Sequence, residues 1–149
     1  MKSAFFAGSF NPFTIGHESI VNRALTLFDR VVIGIGFNAE KGLTHDLKER
    51  AELIRSYFAG RPEVEVKIYA GLTAKEARRS NCTHLLRSVR SAADFEYEKN
   101  LADANRNIFG IDTFILYAEP ELSFISSSLI RELNRYGVDT SKFIPKKNL

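Results

Sequence analysis

Five short apolar runs alternate with stretches of helical period along almost the whole chain, and that alternation leaves few folds open. The runs are Ser3–Gly8, Val31–Phe37, Val64–Tyr69, His84–Val89 and Thr113–Tyr117. They are rich in Val, Ile, Phe and Leu and show little polar alternation, as strands buried on both faces do. Between them, Thr14–Phe28 carries Ile20, Val21, Ala24, Leu25 and Phe28 as one helical stripe. Asp46–Phe58 follows, with Leu47, Ile54, Tyr57 and Phe58 on its apolar face; then come Thr73–Ser80, Ser91–Phe109 and a closing helix Ser126–Tyr136. Asp46 with Glu49, and Thr73 with Glu76, have capping-box spacing, and Ser91 is placed to cap the helix after it. Val138–Leu149 reads as a C-terminal tail.

Strand–helix alternation implies right-handed crossovers and a parallel sheet with helices on both faces. Five strands predict an α/β, Rossmann-like doubly wound sheet in the order 3-2-1-4-5, with ligands at the carboxyl ends of the strands beside strand 1. No repeat, low-complexity segment or linker divides the chain, so we expect one domain over residues 1–149.

Composition narrows the function classes. The chain sets 21 Lys and Arg against 18 Asp and Glu, and a net charge of +3 without a basic, aromatic-interleaved stripe argues against nucleic acid. Cys82 stands alone, and His17, His45 and His84 are dispersed, so neither a disulfide nor a protein metal site is expected. No apolar run approaches the ~18 residues of a membrane span, and no signal-like apolar core follows Met1. A cytoplasmic enzyme or binding protein is the expectation.

Three segments carry chemistry. The first, Ala7-Gly8-Ser9-Phe10-Asn11-Pro12-Phe13-Thr14-Ile15-Gly16-His17, runs from strand 1 into a helix whose first-turn amides attract anions. Gly8 would admit phosphate to the backbone, Ser9 offers a hydroxyl, Pro12 stiffens the turn, Thr14 can cap, Gly16 keeps a side chain off the ligand, and His17 can donate to a phosphate oxygen. A tight turn beside a surface histidine would look the same. Neither a Walker P-loop nor Gly-x-Gly-x-x-Gly occurs, and Gly34 and Gly36 within strand 2 read as close-packing positions. The second segment, Phe124-Ile125-Ser126-Ser127-Ser128-Leu129-Ile130-Arg131, has three hydroxyls where one would cap; a serine-rich turn is the plainer reading. The third is Arg87-Ser88-Val89-Arg90-Ser91-Ala92-Ala93-Asp94-Phe95-Glu96-Tyr97-Glu98. Its arginines, at the end of strand 4, are badly placed for burial and well placed to hold phosphates. Ordinary salt bridges at an exposed helix start would also account for it.

Taken in this order, the three segments resemble the phosphopantetheine adenylyltransferase family of the nucleotidyltransferase superfamily. The Gly-His signature is shared across the superfamily, whereas Arg-x-x-Arg followed by Asp-Phe-Glu-Tyr-Glu is more specific. The resemblance implies transfer of AMP from ATP to 4'-phosphopantetheine, giving dephospho-coenzyme A and pyrophosphate. It implies catalytic roles for His17, Lys41 and Arg90, and acceptor contacts at Ser9, Lys41, Arg87 and Thr73, with Leu72 beside the last. ATP contacts are implied at Ser9, Phe10, His17, Ser88, Val89, Arg90 and Glu98, and along Leu122, Ser123, Phe124, Ile125, Ser126, Ser127 and Ser128. Mg2+ would accompany ATP with few protein ligands, coenzyme A is a feedback ligand in prospect, and a homohexamer is the family's common assembly. The chain departs from the family's usual residues at Ser9, Asn11 and Ser88, where threonine, aspartate and glycine are frequent. Another small-molecule adenylyltransferase, such as a nicotinamide mononucleotide enzyme, and a non-catalytic nucleotide-binding domain are the alternatives.

Overall fold

A computed structural model describes residues 1–148. Its five strands, β1 (Ser3–Gly8), β2 (Arg30–Phe37), β3 (Val64–Ala70), β4 (His84–Val89) and β5 (Asp112–Tyr117), follow the apolar runs to within a residue. They form one parallel sheet in the expected order, β3-β2-β1-β4-β5. Strand period decides the two cores. Phe6, Ile33 and Leu86 join Ile20, Val21 and Ile54 on one face, whereas Phe5, Val32 and Leu85 join Ala74, Ala77 and Ile111 on the other. Gly34 is a close-packing position as expected, because a Cβ there would run into the Phe5 ring.

The helices are α1 (Ile15–Ala24), α2 (His45–Tyr57), α3 (Thr73–Arg79), α4 (Ala92–Phe109) and α5 (Ser127–Arg135). Ser91 and Ser126 cap α4 and α5, accepting from the amides of Asp94 and Leu129 at 3.2 and 3.1 Å.

Three helix ends differ from expectation. α1 stops at Ala24, and a turn closed by Leu27 N–H to Ala24 C=O carries Phe28 into the core. α2 is capped by Thr44, whose extended backbone lets Oγ1 accept from Leu47 N–H at 3.2 Å; Asp46 lies within the helix and pairs with Arg50, while Glu49 meets His45. Thr73 is helical rather than a cap, its hydroxyl bonded to that of Tyr69 at 2.7 Å, and Glu76 turns to Lys67 and Arg79. The tail holds a 3-10 turn, Ser141–Phe143, packs Ile144 against the core and returns to α2, where Asn148 N–H meets Ser56 C=O.

Candidate active site

All three motif segments meet beyond the carboxyl ends of β1 and β4, since adjacent strands deliver their following loops to one edge. The first loop is built on aromatic packing. A Cβ on Gly8 would fall 3.1 Å from the Phe10 ring, so this glycine makes room for that ring. Phe10 is buried with φ +48°, a left-handed conformation rare outside glycine.

Thr14 caps α1, and the capping box is closed by the histidine. Thr14 N–H donates to Nδ1 of His17 at 3.0 Å, while His17 N–H reaches Thr14 Oγ1 at 3.4 Å. An Nδ1 that accepts leaves the proton of a neutral imidazole on Nε2. Burial, with Arg90 and Arg87 nearby, lowers the imidazole pKa to about 4. At neutral pH His17 is therefore an uncharged donor through Nε2.

A polar cavity of about 470 Å³ opens beside it. From the first loop and α1 come Ser9, Thr14, Gly16, His17 and Ile20; from the end of β4, Arg87, Ser88 and Arg90; from α5 and its approach, Leu122, Ile125, Ser126, Ser127, Ser128 and Arg131. No carboxylate lines it. A smaller recess of about 220 Å³ continues over Gly8 and Phe10 and shares Ser9, His17, Arg87, Ser88 and Ser127 with it. Hydroxyls, a neutral imidazole and three guanidinium groups form a surface suited to binding anions. α1 is tied to the far wall by Ser19 to Glu119 at 3.0 Å and by Arg23 to Tyr117 C=O at 2.7 Å.

Both arginines of the third segment are ion-paired, so the plainer reading of that segment holds together with the functional one. Arg87 meets both oxygens of Glu98 at 2.7 Å and donates to Ala7 C=O at 2.8 Å. Glu98 is 5% exposed, and the carboxylate in turn holds the guanidinium firmly protonated. Arg87 is half-buried against its partner, and its unused N–H groups remain for a ligand. Arg90 is more exposed and lies 3.6 Å from Asp94.

Arg87 also borders a second, mainly apolar cavity of about 220 Å³ between the sheet and α4. Leu72, Thr73 and Ala74 form one wall, and Glu98, Leu101, Ala102, Asn105 and Phe109 form a single stripe of α4 on the other. Arg87 is thus the hinge between a polar and an apolar compartment.

Not every anticipated residue arrives there. Lys41 is exposed on a 3-10 turn, Ala39–Lys41, and lines none of these cavities. Val89 is buried in the packing beneath them, and Phe124 lies outside with its ring 5.8 Å from that of Phe143. Ser123 stands one step back, its carbonyl facing Arg90 at 3.5 Å. Ser127 donates to Pro12 C=O, which locks α5 to the first loop. Arg131 was missed, although its spacing from Ser127 and Ser128 places it one helical turn on; it donates to Asn11 C=O and Ser128 Oγ. Arg50 was missed as well: it reaches across from α2 to Ser9 C=O at 3.0 Å, a long-range contact with no local signature. Among the described residues no three His, Cys, Asp or Glu side chains gather as a metal cage.

Known proteins resemble this chain at two levels. The cytidylyltransferase-like family matches residues 5–133. A phosphopantetheine adenylyltransferase of Bacteroides fragilis is 46% identical over 146 residues, covering 98% of this chain and 97% of that one. Its counterpart in Porphyromonas gingivalis is 49% identical over 143 residues, covering 96% and 94%. Among solved structures, a bifunctional NMN adenylyltransferase/ADP ribose pyrophosphatase from Francisella tularensis, complexed with AMP and a manganese ion, superposes with a TM-score of 0.67. At 15% identity, covering 99% of this chain and 45% of that one, it shares the fold.

Proposed function

The chain belongs to the phosphopantetheine adenylyltransferases of the cytidylyltransferase-like family, and from this we propose that it transfers the adenylyl group of ATP to 4'-phosphopantetheine. The products are dephospho-coenzyme A and pyrophosphate. One observation supports this most: a carboxylate-free polar cavity with His17 as a neutral donor joins, through Arg87, an apolar cavity suited to a pantetheine arm.

The acceptor phosphate, with a second pKa of about 6, is mostly dianionic at neutral pH and needs no general base. One of its oxygens attacks the α-phosphorus of ATP, the bond to the bridging β-oxygen breaks, and pyrophosphate leaves with that electron pair. Here the chain's contribution is to hold two anions together and to meet charge that grows on the α-phosphoryl oxygens. His17 Nε2–H serves those oxygens. Arg87, anchored by Glu98, takes the acceptor phosphate together with Ser9, and Thr73 and Leu72 flank the arm. Lys41, on the same carboxyl edge of the sheet, closes on the acceptor phosphate from the loop after β2. Arg90, with Ser126, Ser127, Ser128 and Arg131, holds the β- and γ-phosphates, while Leu122, Ile125 and Ser88 border the nucleotide.

Mg2+, when bound with ATP, supplies charge neutralisation on the phosphates. The donor set of hydroxyls, imidazole and arginines suits an ion carried by the nucleotide and its waters. Exposed Phe95, Tyr97, Ile108 and Tyr117 on α4 and β5 support a homo-oligomer, a hexamer in our reading, and coenzyme A is a candidate feedback ligand.

Pyrophosphate release is measured with ATP and either 4'-phosphopantetheine or nicotinamide mononucleotide. Turnover that depends on 4'-phosphopantetheine is expected. Turnover with the mononucleotide alone, or ATP binding without pyrophosphate release, would overturn the reading.

A further inference from the structure

His17 has one strong hydrogen bond on its ring, from Thr14 N–H to Nδ1 at 3.0 Å. The Thr14 hydroxyl, 3.3 Å away, reaches the same nitrogen, so hydrogen bonding fixes Nδ1 alone and leaves the ring a pivot that would swing Nε2 off target. Aromatic rings block the pivot. Phe10 stands edge-on with its centroid 5.0 Å from that of the imidazole and an interplanar angle of 86°. Phe13 lies tilted by 37° at 5.2 Å, and Phe6 adds a more distant contact at 6.2 Å. Phe13 differs from the other two in having its own anchor outside the strand–loop unit. It is 2% exposed and packs against Tyr57 and Phe58 at the end of α2, with centroids 6.0 and 5.9 Å away. A contact chain therefore runs from the end of α2 through Phe13 to the imidazole.

We propose that Phe13 is a positioning residue, whose ring, braced by Tyr57 and Phe58, holds the His17 imidazole in the orientation from which Nε2–H meets the reacting phosphate. The inference rests on the role given to His17 above and deepens it. Electrostatic catalysis depends on donors held in place before charge develops, so a ring free to pivot loses rate more than it loses substrate affinity. Arg87 and Arg90 are the charged groups bearing on His17, and both remain when Phe13 is changed.

The test replaces Phe13 by leucine, which keeps an apolar side chain without a ring, beside Phe28→Leu as a control. Phe28 is also buried, but it packs against His84 and Phe114 just ahead of β2, at the amino end of the sheet. Phe13→Leu is expected to lower kcat about tenfold, one order in rate, with KM for ATP unchanged. The His17 imidazole, followed by NMR in the free protein, should titrate higher than it does in the wild type. Phe28→Leu should leave both readouts at wild type even where it lowers Tm as much. Equal effects from both variants, or native titration and kcat in Phe13→Leu, would overturn the assignment. Because the NMR titration uses no substrate, it stands if the acceptor reading fails. A changed titration with unchanged kcat would show that Phe13 merely shields His17 from solvent, and would overturn the positioning role.

Discussion

Thr14 and His17 are locked to each other in both directions: the Thr14 amide donates to the imidazole Nδ1, and the His17 amide donates to the Thr14 hydroxyl. In the usual capping box the returning side chain is Glu or Gln. A histidine there closes the same loop and leaves a second ring nitrogen free to donate.

Removing that donor should cost rate before it costs fold. We expect His17→Ala to lower kcat by ~100-fold or more, the scale of a lost oxyanion donor, with KM for ATP within a few fold of wild type. His17→Gln, whose amide can donate from nearly the same place, should recover part of the loss. Near-normal turnover in His17→Ala would remove the imidazole from the mechanism.

The lowered pKa of His17 also makes stability depend on pH. Between about 4 and the ordinary value of 6.5 the unfolded chain binds a proton at this histidine and the folded chain does not. Its contribution is therefore complete above pH 6.5 and is lost as pH falls toward 4. Urea melts of wild type and His17→Gln across this window should show the variant free of that component of the slope. Parallel pH profiles for the two proteins would contradict the assignment.

Arg87 carries a structural load besides its ligand. Arg87→Ala leaves the buried Glu98 carboxylate unpaired, and breaking such a pair costs about 3 kcal/mol. Arg87→Met combined with Glu98→Leu should regain much of that stability, because no charge is then left buried alone. Calorimetry should still show 4'-phosphopantetheine binding impaired in the double variant. Wild-type affinity there would confine Arg87 to a structural role.

Thr44 and Asp46 separate the observed cap from the expected one. Thr44→Ala should destabilise the protein by about 1 kcal/mol. Asp46→Ala removes an exposed carboxylate paired with Arg50 in the first turn of α2 and should cost less, about 0.5 kcal/mol. The reverse ranking in thermal melts would return the cap to Asp46.

Lys41 is exposed on a turn with no buried residue, so Lys41→Ala should leave Tm unchanged. If it closes on the acceptor phosphate, KM for 4'-phosphopantetheine should rise about tenfold, the loss of a charge-assisted contact. Unchanged steady-state kinetics would take Lys41 out of the site.

Element type was legible wherever the apolar period was long. Val31–Phe37 reads as a buried strand because it is apolar on both faces, His84–Val89 reads as one from Leu85, Leu86 and Val89, and the sheet order followed from the alternation. Helix ends were less legible, since capping is decided by the backbone angles of one residue. Thr44 and Asp46 both offer an oxygen, and only the extended conformation at Thr44 selects between them. In the site, the serines before α5 and the arginines after β4 could be named because each lies in a compact motif. Arg50 could not, since its contact with Ser9 spans 41 residues.

By itself the sequence determined the strands and helices, their parallel order and the three segments that meet at the carboxyl edge, because all of these depend on local period and on connection rules. Tertiary structure alone decided what those segments became. It set Glu98 against Arg87, packed Phe10 and Phe13 about His17, and left a cavity under α4. Those outcomes depend on side chains brought together from distant positions, where burial shifts charge and packing fixes orientation; no local pattern carries that information.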